Sequence, residues 1–234
     1  MNKSSSPIIY FALATIFLAV MACQSYAPTD PTILENEDLS GQDFGGKSLI
    51  NLDLSDKDLR DAYFGGANCE GTNFSNSDLQ GATFYGTILV GADFTNATLD
   101  ERWIPIIELL TTLDGAEQNF SGVDLNATYL PTANLSNADL SSADLSDADL
   151  PNSNLSQATL VGANLQSTNL VGAILNNADL TSVRVSSRTD LSYATLTGAT
   201  ISENTLRTVK LFCTRMPDGT IYDEASCNGT PPPP

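Results

Sequence analysis

The side chains that could do chemistry in this chain are mainly carboxylates. Its 234 residues include 28 Asp and Glu against 10 Lys and Arg, a formal net charge of −18, and no His. Paired carboxylates can hydrolyse glycosides, and carboxylate clusters can bind Ca²⁺. The other candidates are four cysteines, which could accept lipid, hold a metal or form disulfides: Cys23, Cys69, Cys213 and Cys227.

The composition excludes several classes of protein. A protein that binds nucleic acid by neutralising phosphates needs a basic face, which this acidic chain does not offer. The absence of His removes the most common general base and zinc ligand. The sequence contains no nucleotide-binding glycine loop, nucleophile elbow or metal-ligand cluster. We therefore expect a protein that is not an enzyme, with no catalytic residue, cofactor or metal.

The N-terminal segment has the pattern of an export signal. Lys3 precedes a run of uncharged residues from Ile8 to Ala22, which is long enough for a signal peptide but short for a membrane-spanning helix. The sequence Val20-Met21-Ala22-Cys23 resembles a bacterial lipobox, although Met21 is an unusual residue there. The resemblance implies removal of residues 1–22 and a lipid on Cys23. Cleavage without lipid and an uncleaved anchor helix are the alternatives.

A five-residue repeat occupies most of the remaining chain. A large apolar residue recurs at every fifth position, the residue two before it is usually small, and the residue just before it is usually Asp or Asn. Turn-forming residues follow. Because residues two apart on a strand face the same side, each unit points one large and one small side chain inward and then turns. The large positions begin with Leu39, Phe44, Leu49, Leu54, Leu59, Phe64, Cys69 and Phe74.

This unit of a small residue, Asp or Asn, Leu and two further residues resembles the pentapeptide-repeat family, from Leu39 to about Leu211. The resemblance implies an all-β fold, a right-handed quadrilateral β-helix with four units per coil. Similar Met-Pro-Asp-Gly tails with paired cysteines occur in cyanobacterial members of the family, so the resemblance implies a cyanobacterial source. The family fold serves unrelated roles and does not by itself indicate an activity.

The departures from the repeat divide the chain into segments. We expect a signal peptide (1–22), a linker (23–36), coils (37–99), a helical insert (100–119), further coils (120–211), a disulfide-bonded cap (212–230) and a proline tail (231–234). Polar residues in the small positions at the start, among them Gln42 and Lys47, predict a loosened first coil. The alternative is that these side chains extend outward to solvent.

The helical insert interrupts the repeat at a slip in its register. Trp103, Ile106, Ile107, Leu110 and Leu113 have helical spacing, which predicts a helix over 104–113, beginning near Pro105 and ending before Gly115. We expect it to loop out, with its apolar face packed against the side or end of the coils. One degenerate coil and an external docking element are the alternatives.

The C-terminal part contains a second slip and a predicted cap. The register shifts by one residue between Val185 and Leu191, which predicts a bulge or short corner loop. Pro217-Asp218-Gly219 predicts a hairpin over the last coil. In an exported protein, Cys213 and Cys227 are expected to form a disulfide, with a two-cysteine metal site as the alternative. Cys69 belongs to the apolar core, and the tail from residue 231 is expected to be extended and exposed.

These observations predict an acidic, non-enzymatic rod that acts as a structural or protein-interaction module. Its expected location is the bacterial cell envelope, in the periplasm, outer membrane or thylakoid lumen, with a lipid anchor at Cys23. The partner is an unidentified protein or envelope component, and not nucleic acid. Cation or small-ligand binding on rows of Asp is the alternative. A further alternative is a DNA mimic that inhibits a DNA-binding enzyme, because some members of the family mimic DNA and inhibit gyrase. Export argues against this alternative, since an exported protein would not meet gyrase.

Overall fold

The computed structural model describes residues 37–223, Cys227 and the backbone of residues 27 and 28. Within it the chain pairs with itself at a spacing of twenty residues. Parallel bridges join Asp38 to Asp58, and three further lines of bridges start at Asp43, Ser48 and Asp53. We call each twenty-residue stretch a coil and each line of bridges a row. Four rows per coil mean that one residue of every five-residue unit pairs with the next coil.

Regular secondary structure within the described residues is short. Strand β1 (Ala27–Pro28) pairs in parallel with β2 (Lys47–Ser48), again twenty residues apart. The helices are α1 (Ile107–Thr112) and α2 (Glu203–Thr208). Isolated bridges and turns form the rest, so this part of the chain is mostly non-helical. None of its helices is long and apolar enough to cross a membrane.

The two inward positions of each unit form a continuous core, as the repeat predicts. The large residues from Leu39 to Leu89 are 4% exposed or less, and small residues such as Ala62 and Ala67 are fully buried between them. Each unit then turns at a residue with positive φ, for example Gly41 or Asn51. Gly and Asn adopt that conformation most readily, which explains their place in the repeat.

Hydroxyl residues replace alanine in several of the small positions without leaving buried polar groups unpaired. The Oγ1 atoms of Thr72, Thr87 and Thr168 donate to backbone carbonyl oxygens at 2.7–2.8 Å. The acceptors belong to the preceding coil, 23 residues earlier. A buried hydroxyl costs little when it is hydrogen-bonded, so these residues add connections between coils.

The first coil is not loosened, contrary to the preferred expectation. Leu39 and Phe44 are buried, and their backbone N–H groups donate to Asp58 and Tyr63 of the next coil at 2.8 Å. The polar side chains extend outward instead, which was the alternative. Lys47 Nζ reaches the backbone oxygen of Asp43 at 2.6 Å and lies 5.7 Å from the centre of the Phe44 ring. Its aliphatic stem covers the coil while its charge stays near solvent.

Helix α1 lies within the stack and does not loop out of it. Trp103 and Ile106 before it, and Leu109 and Leu110 within it, are at most 2% exposed and belong to the same core as the coils. The helix covers 107–112, which is shorter than predicted, and it ends because Leu113 adopts a left-handed conformation. Gly115 therefore does not end it.

Coil pairing resumes one unit earlier than the sequence suggests. Asp114 already bridges to Asn134, before the predicted restart at Phe120. Gly115 occupies the large position of this unit, where a Cβ atom would lie 2.7 Å from Cε2 of Phe120 and 3.1 Å from Cδ1 of Leu109. The side chains of its neighbours fill the place that Leu takes in other units, so the unit carries no apolar signal.

The second slip is an extra residue in one corner, as predicted. Asn164 bridges to Arg184, twenty residues on, but Asn169 bridges to Asp190, twenty-one residues on. Thr189 fills the corner, fully buried, and its Oγ1 donates to the backbone oxygen of Leu165 at 2.6 Å. The bulge is thus held by a hydrogen bond to the coil before it.

The C-terminal end combines α2, which the sequence analysis missed, with the predicted hairpin. Residues 203–208 were assigned to repeat units, but the structure forms a helix with Ser202 as its N-cap, its Oγ accepting from Thr205 N at 3.1 Å. Arg215 and Ile221 form an antiparallel bridge around the turn at Pro217-Asp218-Gly219. The signal peptide, Cys23 and the proline tail lie outside the described residues, and so does the linker apart from the backbone of residues 27 and 28, which forms β1.

Candidate interaction surfaces

Asp side chains of the rows accept hydrogen bonds from the turn that follows them in the chain. Oδ1 of Asp53 accepts from the backbone N–H of Ser55 at 3.1 Å and from the Ser55 hydroxyl at 2.7 Å. Asp93 and Thr95 repeat this arrangement at 2.8 and 2.6 Å. The hydroxyl bond is the main reason that the pKa of both carboxyls lies below its usual value. These carboxylates stabilise the corners where the chain changes direction.

The rows are also cross-linked from coil to coil by Asn. Asn73 Nδ2 donates to Asp53 Oδ1 at 3.0 Å, and Asn164 Nδ2 donates to Asp144 Oδ1 at 2.9 Å. The partners are twenty residues apart and so lie one above the other in adjacent coils. Alternation of Asn with Asp in a row therefore replaces repulsion between like charges by a hydrogen bond.

Among the described residues, this geometry places no carboxylate in a setting suited to catalysis. A general acid needs a raised pKa, usually from burial in a cleft, whereas every shifted Asp of the described residues has its pKa lowered. Within the same residues no group of three or more Asp, Glu, Cys or His side chains is placed to hold a metal ion. The rows present polar, hydrogen-bonded faces to solvent.

The cysteines have separate environments. Cys69 is fully buried in its large position, and burial raises the pKa of its thiol far above the usual range. Cys213 and Cys227 form the disulfide that the sequence predicts, with a Cα–Cα distance of 5.3 Å. Neither setting provides a reactive thiolate, because a nucleophilic cysteine needs a lowered pKa and access to solvent.

A cluster around Arg102 connects the coils on the two sides of the insert. Its guanidinium carbon lies 4.7 Å from the centre of the Tyr85 ring and 4.4 Å from that of Trp103. One nitrogen donates to the Tyr85 hydroxyl and the other to Asp124 Oδ2, at 2.9 Å. Trp103 Nε1 donates to the backbone oxygen of Ala82 at 3.1 Å. The only Trp of the chain thus packs inside the rod and is not an external docking element.

An open, apolar groove of the described residues lies at the C-terminal end, where α2 replaces part of a coil. The groove measures about 460 Å³ and separates this helix from the hairpin. Its apolar lining comes from both sides, and Tyr222 is 47% exposed. The charged residues of the lining, Glu203 and Arg207, pair with each other at 3.2 Å. The apolar lining residues are Leu206, Val209, Leu211, Met216 and Tyr222.

The charge of the chain is unevenly distributed, which sets this end apart. Residues 37–183 hold four Lys and Arg against 21 Asp and Glu, a difference of −17, whereas residues 184–224 hold five of each. No Lys or Arg occurs between Arg102 and Arg184. The coils up to residue 183 are therefore strongly acidic, whereas the C-terminal end is formally neutral.

The sequence pattern does not reveal this groove, although it contains a signal for α2. Ser202 followed by Glu203 is a typical N-cap and first turn. Leu206 and Leu211, however, also fit the five-residue series, which predicts repeat units at these positions. The groove forms because a helix cannot fill the same space as a flat unit, and that depends on packing that the sequence pattern does not describe.

Comparison with known proteins gives a consistent family assignment. The family model described as pentapeptide repeats matches eight copies, at residues 58–96, 119–157 and 158–187. Among the curated proteins no significant match was found. The matched ranges lie in the coils on both sides of α1.

Several solved structures are similar to the chain. The pentapeptide-repeat protein Rfr23 of the cyanobacterium Cyanothece 51142 is 27% identical over 51% of this chain and 98% of its own, with a TM-score of 0.38. HetL of Nostoc sp. strain PCC 7120, involved in heterocyst differentiation regulation, is 25% identical over 88% and 98%, with a TM-score of 0.36. A protein of the Arabidopsis thaliana thylakoid lumen is 24% identical over 77% and 79%, with a TM-score of 0.23.

Proposed function

The chain belongs to the pentapeptide-repeat family, and from this premise we propose that it is a non-enzymatic rod that serves as a structural or protein-interaction module at the bacterial cell envelope. Its fold in this proposal is a right-handed four-sided β-helix. The four rows of bridges at twenty-residue spacing support four sides, and the handedness follows the resemblance to the family. The anchor is a lipid on Cys23.

The observation that carries this proposal is that carboxylates of the rows form hydrogen bonds within the structure. Asp53 and Asp93 accept bonds from their own turns, and Asn73 and Asn164 tie neighbouring coils together. A face whose polar groups are paired within the structure is suited to rigid presentation of a surface. Its acidic charge favours a partner with a basic surface.

The anchor and the disulfide can be tested together by intact mass of the protein extracted from membranes, with and without reductant. We expect a chain that begins at Cys23, carries a diacylglyceryl or triacyl group, and gains the mass of two hydrogens on reduction. The Cys23→Ser variant is the control, since it should lose the lipid and keep the disulfide. An unprocessed chain with four free thiols would refute the envelope location.

The interaction role can be tested by photo-crosslinking from a row. Ile174 is 40% exposed and bridges to Thr195, so a photoreactive residue at this position faces outward from the coils. We expect covalent adducts with one or a few envelope proteins in cells, and their loss when the Cys23→Ser change releases the rod. Tyr63, which is also exposed and bridges to Thr83, is the control position: a photoreactive residue there shows whether adducts depend on the surface around Ile174. Adducts that are equally abundant without the anchor would contradict the proposal.

A further inference from the structure

We propose that the C-terminal hairpin is a docking edge for an extended segment of a partner protein, in which an acidic side chain stands between two apolar ones. The segment adds one strand next to residues 220–222, the outer arm of the hairpin. This surface is separate from the acidic rows, so the proposal does not depend on the proposed function. It rests on an open backbone edge, on a pocket at each face of that edge, and on the charge of Arg215.

The outer arm of the hairpin is the last member of a row of paired backbones. Ile221 pairs antiparallel with Arg215, which itself pairs with the coil before it. Two backbone bonds flank this bridge, at 2.7 and 2.8 Å: Met216 N to Thr220 O and Tyr222 N to Thr214 O. In this type of pair the N–H and C=O of the bridged residue point away from the inner strand. Within the described structure neither group of Ile221 forms a hydrogen bond, so both can pair with a further strand.

The two faces of this edge open into separate pockets. Met216 and Tyr222 line the groove beside α2, of about 460 Å³. Arg215 and Ile221 line a second pocket of about 310 Å³. Successive side chains of a strand point to opposite faces, so a strand added at this edge sends its side chains alternately into one pocket and the other. Backbone bonds then provide affinity and the pockets provide side-chain preference, as in other peptides that extend a sheet.

The charges of the two pockets define the side chains that they accept. Arg215 is exposed and donates from Nη1 to the backbone oxygen of Gly219 at 3.0 Å, but it forms no ion pair within the described residues. In the groove, Arg207 already pairs with Glu203 at 3.2 Å and the rest of the lining is apolar. A residue opposite Ile221 shares the face of Arg215, whereas its two neighbours face the groove. The preferred segment therefore has Glu between two apolar residues.

Hydrogen exchange of the Ile221 amide measures this contact directly. In the full chain labelled with ¹⁵N-isoleucine and ¹⁵N-tyrosine, the Ile221 signal is assigned by its loss in Ile221→Val. The probe is the synthetic peptide acetyl-Ser-Val-Glu-Leu-Ser-amide at millimolar concentration. We expect it to slow exchange at Ile221 by about fivefold or more. The Tyr222 amide is the internal control: it is already bonded to Thr214 O, so it should exchange more slowly without peptide and change less when peptide is added.

Matched changes separate backbone pairing from charge, with binding measured by fluorescence anisotropy of labelled peptide. N-methylation of the peptide at Glu removes the N–H that pairs with Ile221 O and should weaken binding by about fivefold. Replacement of this Glu by Gln should also weaken binding, but not in the Arg215→Gln protein, where the two peptides should bind alike. Val161→Ser, on an exposed surface outside both pockets, should have no effect.

Three results overturn the proposal. One is unchanged exchange at Ile221 in millimolar peptide. Another is equal binding of the Glu, Gln and N-methylated peptides to the native chain, which would show contact without strand pairing or charge recognition. The third is an Ile221 amide that is as protected as that of Tyr222 before peptide is added, because the edge would then be closed by another part of the chain or by a second copy.

Discussion

Replacement of Gly115 by alanine tests how the coils are packed where pairing resumes after the insert. A Cβ atom at this position would lie 2.7 and 2.9 Å from Cε2 and Cζ of Phe120, and 3.1 Å from Cδ1 of Leu109. Both neighbours are at most 4% exposed, so neither can move into solvent. The backbone of Gly115 does not have a positive φ, and the cost of the change is therefore steric.

The magnitude follows from two opposing terms. Overpacking of a filled core costs about 1–3 kcal/mol. The lower backbone entropy of the unfolded chain with alanine returns about 0.4–1 kcal/mol. We expect Gly115→Ala to lower the free energy of unfolding by about 1–2 kcal/mol in total.

A double-mutant cycle isolates the contact with the ring. Phe120→Leu removes the ring atoms that meet the new methyl group, and on its own it should cost about 1 kcal/mol as a near-conservative change. In the Phe120→Leu background, Gly115→Ala should be close to neutral, so the two changes should couple by about 1–2 kcal/mol. Gly66→Ala is the control, because nothing lies within 4 Å of its Cβ position but its φ is +67°. Its cost comes from backbone strain and should not depend on Phe120.

Urea unfolding followed by fluorescence of Trp103 is a suitable assay. This residue is 1% exposed, precedes α1 and packs against Phe84 and Tyr85. The same transition should be followed by circular dichroism, since coincident curves are needed for a two-state analysis. If Gly115→Ala is as stable as the native chain, or if its cost is unchanged by Phe120→Leu, the assignment of Gly115 to a filled large position is wrong.

Three further predictions follow from the contacts described above. Arg102→Met should lower the free energy of unfolding by about 1 kcal/mol, through lost contacts with aromatic rings and an ion pair, measured by urea unfolding; an unchanged midpoint would contradict the role of Arg102 as a connection across the insert. The pKa of Asp53 is lowered in the folded state, so its stabilising effect is present above about pH 4 and is lost as the pH falls further. Asp53→Asn should accordingly weaken the dependence of the melting temperature on pH between about 4 and 2, and an identical pH profile would argue against the turn bonds. Reduction of the Cys213–Cys227 disulfide should speed amide exchange in the hairpin while the Trp103 environment stays unchanged, and loss of both together would show that the end and the middle of the rod unfold as one unit.

The coils could be predicted from the sequence because each unit repeats the same local physics. A large residue such as Leu140 is buried and a small one such as Ala138 lies beside it, as the periodicity requires. The bulge before Asp190 and the turn at Gly219 also followed from local patterns. In such a fold each coil contacts mainly its neighbours, so local patterns determine most of the structure.

The remaining features could not be predicted because they depend on which space the side chains of neighbouring elements occupy. Gly115 has no side chain to reveal its large position, which is filled by Phe120 and Leu109. Lys47 has a polar character that suggests a loosened coil, yet its ammonium group lies over the Phe44 ring and donates to the backbone oxygen of Asp43. Leu206 stands at a large position of the five-residue series, and the same residue is also compatible with a helix, so its sequence position does not distinguish the two structures. Candidate surfaces at such places become visible only when the chain is folded.

The insert also gives the rod a mechanical property. Successive coils are joined by parallel bridges along four rows, but within the described structure no bridge joins residues 37–98 to residues 114–223. These two parts are connected across the insert by the backbone bonds from Gly86 N to Ala127 O and from Gly91 N to Thr111 O, by the side chains of α1 and by the Arg102 cluster. A force applied along the length of the rod is shared among many bonds everywhere else. A rod held at one end and pulled at the other would therefore part first at the insert and lengthen by one step, with the coils on both sides still folded.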